Sequence, residues 1–319
     1  MNNKIFAGLA IFLLFLVVGT LFLFTIDAYY KTIYREKLSI EEVLKSDSLQ
    51  AALGVDQANT PADLNLEFQT VQYNSFDGTA LQAWYIAAEE PSNRCIIISH
   101  DITSNKLEAL KFLSAFKKAG IHKKFHLFVP DLRNAGASES APIFMGYKIA
   151  EDIATSITLL KEKFNLNTFT LFGIGLGATA SAIAAKRTDL QQHYQNIDIE
   201  ISGIILDSPV SHVEKELTKV HKKVAPPLAS AVCFYFNNKV NGYLEYMRLS
   251  FLLTKTDYGA LIFQNIGDET TPTPELLEEI RDVPSVKLEI FDGVEHAKII
   301  EHPGYKARYI QSLVEFLDF

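Results

Sequence analysis

Phe169-Thr170-Leu171-Phe172-Gly173-Ile174-Gly175-Leu176-Gly177 is the stretch that decides the fold. Residues 169–172 form a short apolar run, as expected of a strand covered on both faces. Glycines at alternate positions follow, the chemistry of a tight turn. The Ala-rich stretch Leu176–Lys186 then reads as a helix able to pack close to a sheet. A strand that turns at once into a helix is half of a strand–helix–strand unit, and the flanking sequence shows whether the unit repeats.

It does repeat. Upstream, residues 95–98 are wholly apolar, and Leu107, Leu110, Leu113 and Phe116 then mark one side of a helix that stops at Gly120. Residues 125–129 form the next strand, halted by Pro130-Asp131, and Ile149, Ile153, Ile157, Leu160 and Phe164 recur at helical spacing over Tyr147–Phe164. Downstream, residues 201–206, 260–263 and Val286–Phe291 read as strands, and a last helix carries Ile310, Leu313 and Leu317 on one face. Alternating strands and helices with short connections predict an α/β fold, a mainly parallel twisted sheet flanked by helices. Residues 66–73 and 79–86, joined by Asn74-Ser75-Phe76-Asp77-Gly78, predict an antiparallel hairpin at one edge. Residues 209–258 have no clean periodicity and are expected to form a helical cap inserted in the domain.

The N-terminus is of a different kind. Residues 5–26 carry no charged side chain. At 1.5 Å per residue they reach about 33 Å, enough to cross a hydrocarbon core. A cleaved signal would have a shorter apolar region and a small-x-small site, whereas this run ends Phe24-Thr25-Ile26-Asp27-Ala28-Tyr29-Tyr30. The tyrosines, followed by Lys31 and Arg35, look like an interfacial belt. Expected organisation is therefore a single-pass anchor over 1–30, a juxtamembrane helix (38–53) and linker over 31–65, and one domain over 66–319 with its cap at 209–258. Lys31, Arg35 and Lys37 argue for a domain inside the cell, whereas a short tail with one lysine is usual for exported bacterial anchors. The exported side is slightly favoured.

Net charge is −8 without a long basic tract, which argues against a nucleic-acid partner. Cys95 and Cys233 are the only cysteines, and the eight histidines are scattered. Neither a disulfide framework nor a metal site is expected, and no cofactor.

In open parallel sheets ligands sit at the carboxyl ends of strands. Five such ends carry polar or glycine-rich text: Ser99-His100-Asp101, Pro130-Asp131-Leu132-Arg133-Asn134, Gly173-Ile174-Gly175-Leu176-Gly177, Gly267-Asp268 and Glu295-His296. Order and content resemble the α/β-hydrolase superfamily, in particular its membrane-anchored lipase/esterase and serine-aminopeptidase-like branch, from about residue 66 to 319. The resemblance implies an acid at Asp268, in Asp268-Glu269-Thr270-Thr271-Pro272, and a base at His296, in Gly293-Val294-Glu295-His296. It puts the oxyanion loop around His100, Asp101 and Leu176, and the nucleophile at the centre of Gly-x-Ser-x-Gly. There this chain has Gly175, which has no side chain to attack a carbonyl. Thr179 and Ser181 lie along the following helix, away from the turn.

Other departures accompany it. His100-Asp101 stands for His-Gly, and a carboxylate there opposes a developing oxyanion. Arg133-Asn134-Ala135-Gly136 stands for Arg-Gly-His-Gly, and Gln264-Asn265 for His-Gly before the acid. The expected function is that of a membrane-anchored pseudoenzyme that binds a lipid or acyl ligand, or a protein partner. A slow hydrolase in which Asp268 and His296 activate water is the alternative. A dinucleotide reading rests on Gly173-x-Gly175-x-x-Ala178, with Asp207 for a ribose. Its acid comes about 30 residues after the glycines, against the usual ~20. In the cap, Lys215, Lys219, His221, Lys222, Lys223 and the apolar run around Cys233-Phe234-Tyr235-Phe236 suggest an acyl pocket or a membrane-facing lid.

Overall fold

A computed structural model describes residues 2–54, 58–224 and 226–317, with side chains outside 2–4, 220–224 and 226–227. Its strands are β1 (Gln69–Asn74), β2 (Ala80–Ile86), β3 (Arg94–Ser99), β4 (His126–Asp131), β5 (Thr168–Ile174), β6 (Glu200–Asp207), β7 (Gly259–Asn265) and β8 (Val286–Phe291). They form one sheet in the order β1-β2-β4-β3-β5-β6-β7-β8. The hairpin β1–β2 is antiparallel and joins β4 antiparallel at one edge, while β4, β3, β5, β6, β7 and β8 run parallel.

The apolar runs fill both faces because successive side chains of a strand point to opposite sides. Cys95 and Ile97 of β3 face the helices Tyr147–Phe164 and Leu176–Lys186, with Ile153, Ile157 and Ala182 beneath them. Ile96 and Ile98 face the helices Leu110–Ala119 and Lys306–Phe316, against Phe112, Phe116, Tyr309 and Leu313. The Ala-rich helix after β5 is buried almost throughout, which its small side chains permit at short range from the sheet.

One expectation needs correction. Residues 38–53 are two helices, Ile40–Leu44 and Asp47–Leu53, and not one. Ser39 and Glu42 close a capping box at the first, and the Ser46 hydroxyl accepts the Leu49 N–H to start the second. A serine that satisfies an orphan donor there favours a new start over a continuous turn. Residues 209–258 form a helical cap as expected, with Val213–Val224, Pro226–Lys239 and Leu249–Leu252 making up most of it. An isolated antiparallel bridge between His212 and Arg248 draws its two ends together. The side chains of His221, Lys222 and Lys223, part of the basic cap reading, lie outside the described residues.

The N-terminal helix runs Asn2–Ile33, and its stretch Ile5–Ile33 is long and apolar enough to cross a membrane. Its side chains stand exposed from Ile5 to Phe24, whereas Thr25, Ala28, Thr32 and Ile33 are buried against the domain. The Ile143 N–H donates to the Ile33 carbonyl at 2.8 Å, fixing the helix end to the loop before Tyr147–Phe164.

Candidate active site

The site forms where β3, β5, β7 and β8 end. At the turn after β5, Gly175 has φ 54° and ψ −120°, a conformation that costs an L-residue on the order of 1–3 kcal/mol and a glycine little. Its N–H donates to the Asp207 carbonyl at 2.9 Å, tying the turn to the end of β6. The next glycine, Gly177, lets the helix approach β3. A Cβ there would lie 2.3 Å from the His100 carbonyl oxygen.

A Cβ at Gly175 would meet Asp101, whose Oδ1 lies 2.0 Å from its place. That oxygen accepts the Leu176 N–H at 2.8 Å, the first free amide of the helix. A carboxylate from the loop after β3 thus fills the space of a side chain at 175 and occupies the neighbouring amide. Asp101 Oδ2 accepts a weak bond from the Thr103 hydroxyl at 3.3 Å and faces His296 Nε2 at 3.8 Å, an ion-pair distance without a hydrogen bond. His100 holds this loop from below. The Leu132 N–H donates to its Nε2 at 3.0 Å, so Nδ1 carries the proton and donates to the Asp101 carbonyl at 2.7 Å.

Asp268 and His296 meet as the sequence placed them. His296 Nδ1 lies 2.7 Å from Asp268 Oδ2. Asp268 is fixed by the Thr270 and Thr271 N–H groups on Oδ1 and the Thr271 hydroxyl on Oδ2, each at 2.9 Å. Gln264 and Asn265 brace the acid. Gln264 Nε2 donates to the Thr271 carbonyl at 2.7 Å, and Asn265 Nδ2 donates to the Val294 carbonyl, joining the Asp268 turn to the His296 loop. Asn134, at φ 62°, donates from Nδ2 to the Arg35 carbonyl at 2.6 Å and so holds the juxtamembrane segment. These departures from the family pattern carry structural bonds of their own.

The charges set the protonation states. Burial pulls the His296 imidazole down, but Asp101 and Asp268 outweigh it and push its pKa up to about 10. Burial raises both carboxyls, yet His296 and the amides they accept leave Asp101 and Asp268 below the usual carboxylate range. The ground state is carboxylate–imidazolium–carboxylate. An imidazolium has no lone pair on Nε2, so at neutral pH it takes no proton from a hydroxyl or from water.

Thr179 and Ser181 are fully buried and donate to the Val210 and Gly177 carbonyls, away from the turn. The dinucleotide reading loses its acid. Asp207 is fully buried, accepting the Tyr309 hydroxyl at 2.8 Å and the Ser208 hydroxyl at 3.0 Å, and burial pushes its pKa up to about 6. A ribose cannot reach it.

The sequence reading missed the pair under the neighbouring loop. The Lys106 ammonium lies 2.8 Å from Asp131 Oδ2, both side chains almost wholly buried, and also donates to Gln82 Oε1 at 2.7 Å. Asp131 accepts the Lys106 and Ala137 amides as well. A lysine in a polar loop carries no pattern that announces such a partner. Asp131→Ala leaves the ammonium buried without its counter-charge and is expected to cost about 3–5 kcal/mol, measurable by urea denaturation.

No protein-family model matches the chain. Over 158 residues, 48% of this chain and 46% of the relative, it is 27% identical to the alpha/beta hydrolase domain-containing protein WAV2 of Arabidopsis thaliana. The chain thus spans about half the length of that curated relative. Among solved structures it is similar to an esterase of Pyrococcus furiosus, at TM-score 0.60 and 19% identity over 81% of this chain and 95% of that one. A thermophilic esterase of Thermogutta terrifontis follows at TM-score 0.52 and 15% identity, over 78% and 98%. With these likenesses and the sheet order in agreement, the chain has the α/β-hydrolase fold.

Proposed function

We propose that this is a membrane-tethered α/β-hydrolase-fold protein without serine chemistry, which works by binding a lipid or acyl ligand under its cap. The Asp101 carboxylate, seated on the Leu176 N–H in the space of a side chain at 175, carries the reading. It supplies a negative charge where hydrolysis of an ester needs a free donor for a developing one. The helix Asn2–Ile33 tethers the domain, and Lys219 of the cap donates to the Thr270 carbonyl at 3.4 Å, which brings the cap beside the acid turn.

Incubating the full chain in detergent with a fluorophosphonate probe is expected to give no labelled serine. Labelling that disappears in His296→Ala would reveal a histidine-activated serine and overturn the proposal. A second reading has the intact Asp268–His296 pair in its favour: general-base hydrolysis by water. Since His296 is protonated at neutral pH, that activity would rise with pH toward about 10.

A further inference from the structure

We propose that the cap helix Pro226–Lys239 is a second membrane contact, with Phe234 and Tyr235 at the headgroup boundary of the bilayer crossed by the N-terminal helix. The proposal rests on reading residues 5–26 as a membrane span. Its observation is separate from the site: an unbroken series of ring contacts leads from the end of that span onto the cap. Tyr34 stacks on Tyr30 at 6.2 Å between centroids, Tyr30 meets Tyr29 at 5.8 Å, Tyr29 meets Tyr235 at 6.2 Å, and Tyr235 meets Phe234 at 6.1 Å.

The helical rise turns this series into a depth. Tyr29 stands three residues beyond Ile26, so about 4.5 Å along the helix axis past the uncharged run. The headgroup layer on each side of the hydrocarbon is about 5–8 Å thick. With its ring 6.2 Å from that of Tyr29, Tyr235 lies between about 2 Å inside the hydrocarbon edge and about 11 Å beyond it, an interval centred on the headgroup layer. Phe234 adjoins it and is 68% exposed, a large apolar side chain on the protein's own surface.

Composition favours a bilayer as the occupant. Pro226–Lys239 contains no acidic residue, and its one cation, Lys239, stands at its end. Tyrosine and phenylalanine with a terminal lysine are the residues that settle at the boundary between acyl chains and headgroups. The tether holds them there at no further cost of association, since the second contact is intramolecular once the span is inserted. The cap would then be held at the bilayer surface by two elements instead of hanging from one.

Fluorescence quenching tests this. Phe234→Trp and Phe12→Trp variants of the full chain are reconstituted in phosphatidylcholine vesicles whose acyl chains are brominated near the headgroup end. The single native tryptophan, Trp84, is buried in β2 and serves as the background in both. The added emission is expected to fall by roughly half in each variant, relative to unbrominated vesicles. Quenching of Trp at 12 without quenching at 234 would leave the span standing and overturn the cap contact. Quenching at neither position would remove the span and the cap contact together.

Discussion

Gly175→Ser alone is expected to leave ester hydrolysis within about tenfold of the wild-type background, while Asp101→Gly with Gly175→Ser is expected to raise it by at least about 10³. The single variant puts a Cβ at a point 2.0 Å from Asp101 Oδ1, so the carboxylate must leave the Leu176 N–H or the serine must distort the turn. At φ 54° the new side chain also adds strain, and a stability loss of about 1–3 kcal/mol is expected. Removing Asp101 changes three things at once. The space at 175 opens, the Leu176 N–H is released for an oxyanion, and His296 loses one of the two carboxylates that keep it protonated. Turnover of a short-chain nitrophenyl ester and fluorophosphonate labelling read the result. Full turnover by Gly175→Ser alone would show that Asp101 obstructs nothing, and an inert double variant would place the obstacle elsewhere.

The fold was legible because its signals are local. Short apolar runs such as residues 95–98 bury on two faces, and Tyr147–Phe164 repeats its apolar positions at a helical interval along its whole length. The helix after β5 begins at Leu176 and the last strand spans Val286–Phe291, both as the pattern placed them. What the pattern lost was detail set by single hydroxyls. Ser46 restarts a helix that periodicity alone would carry through.

In the site, motif order placed Asp268 near His296, and their separation of 2.7 Å agrees with that order. The role of Asp101 was legible only by sign. A carboxylate near the oxyanion loop is unfavourable for hydrolysis, but nothing in the sequence says that it reaches the Leu176 N–H, 75 residues away. Gln264, Asn265 and Asn134 show the converse. Their mismatch with the family pattern suggested decay, whereas their amides bridge the acid turn, the histidine loop and the juxtamembrane segment. A pattern records which residue differs, and only geometry says what the replacement bonds.

His296 carries the second large expected effect. Its folded pKa lies above the unfolded one, so the stability it contributes is complete below about pH 6.5 and is lost as pH rises through about 10. Asp101 and Asp268 have lowered values, and theirs is present above about pH 4 and lost as pH falls. Asp101→Asn leaves Asp268 as the only close carboxylate on His296, and the imidazole pKa is expected to drop toward neutrality. The most direct test is a ring-nitrogen NMR titration of His296 in the wild-type protein and in Asp101→Asn. Both nitrogens are expected to be protonated in the wild type at about pH 8, with a neutral ring in the variant at that pH. A neutral His296 in the wild type at that pH would contradict it, since the base would then be free to act beside Asp268.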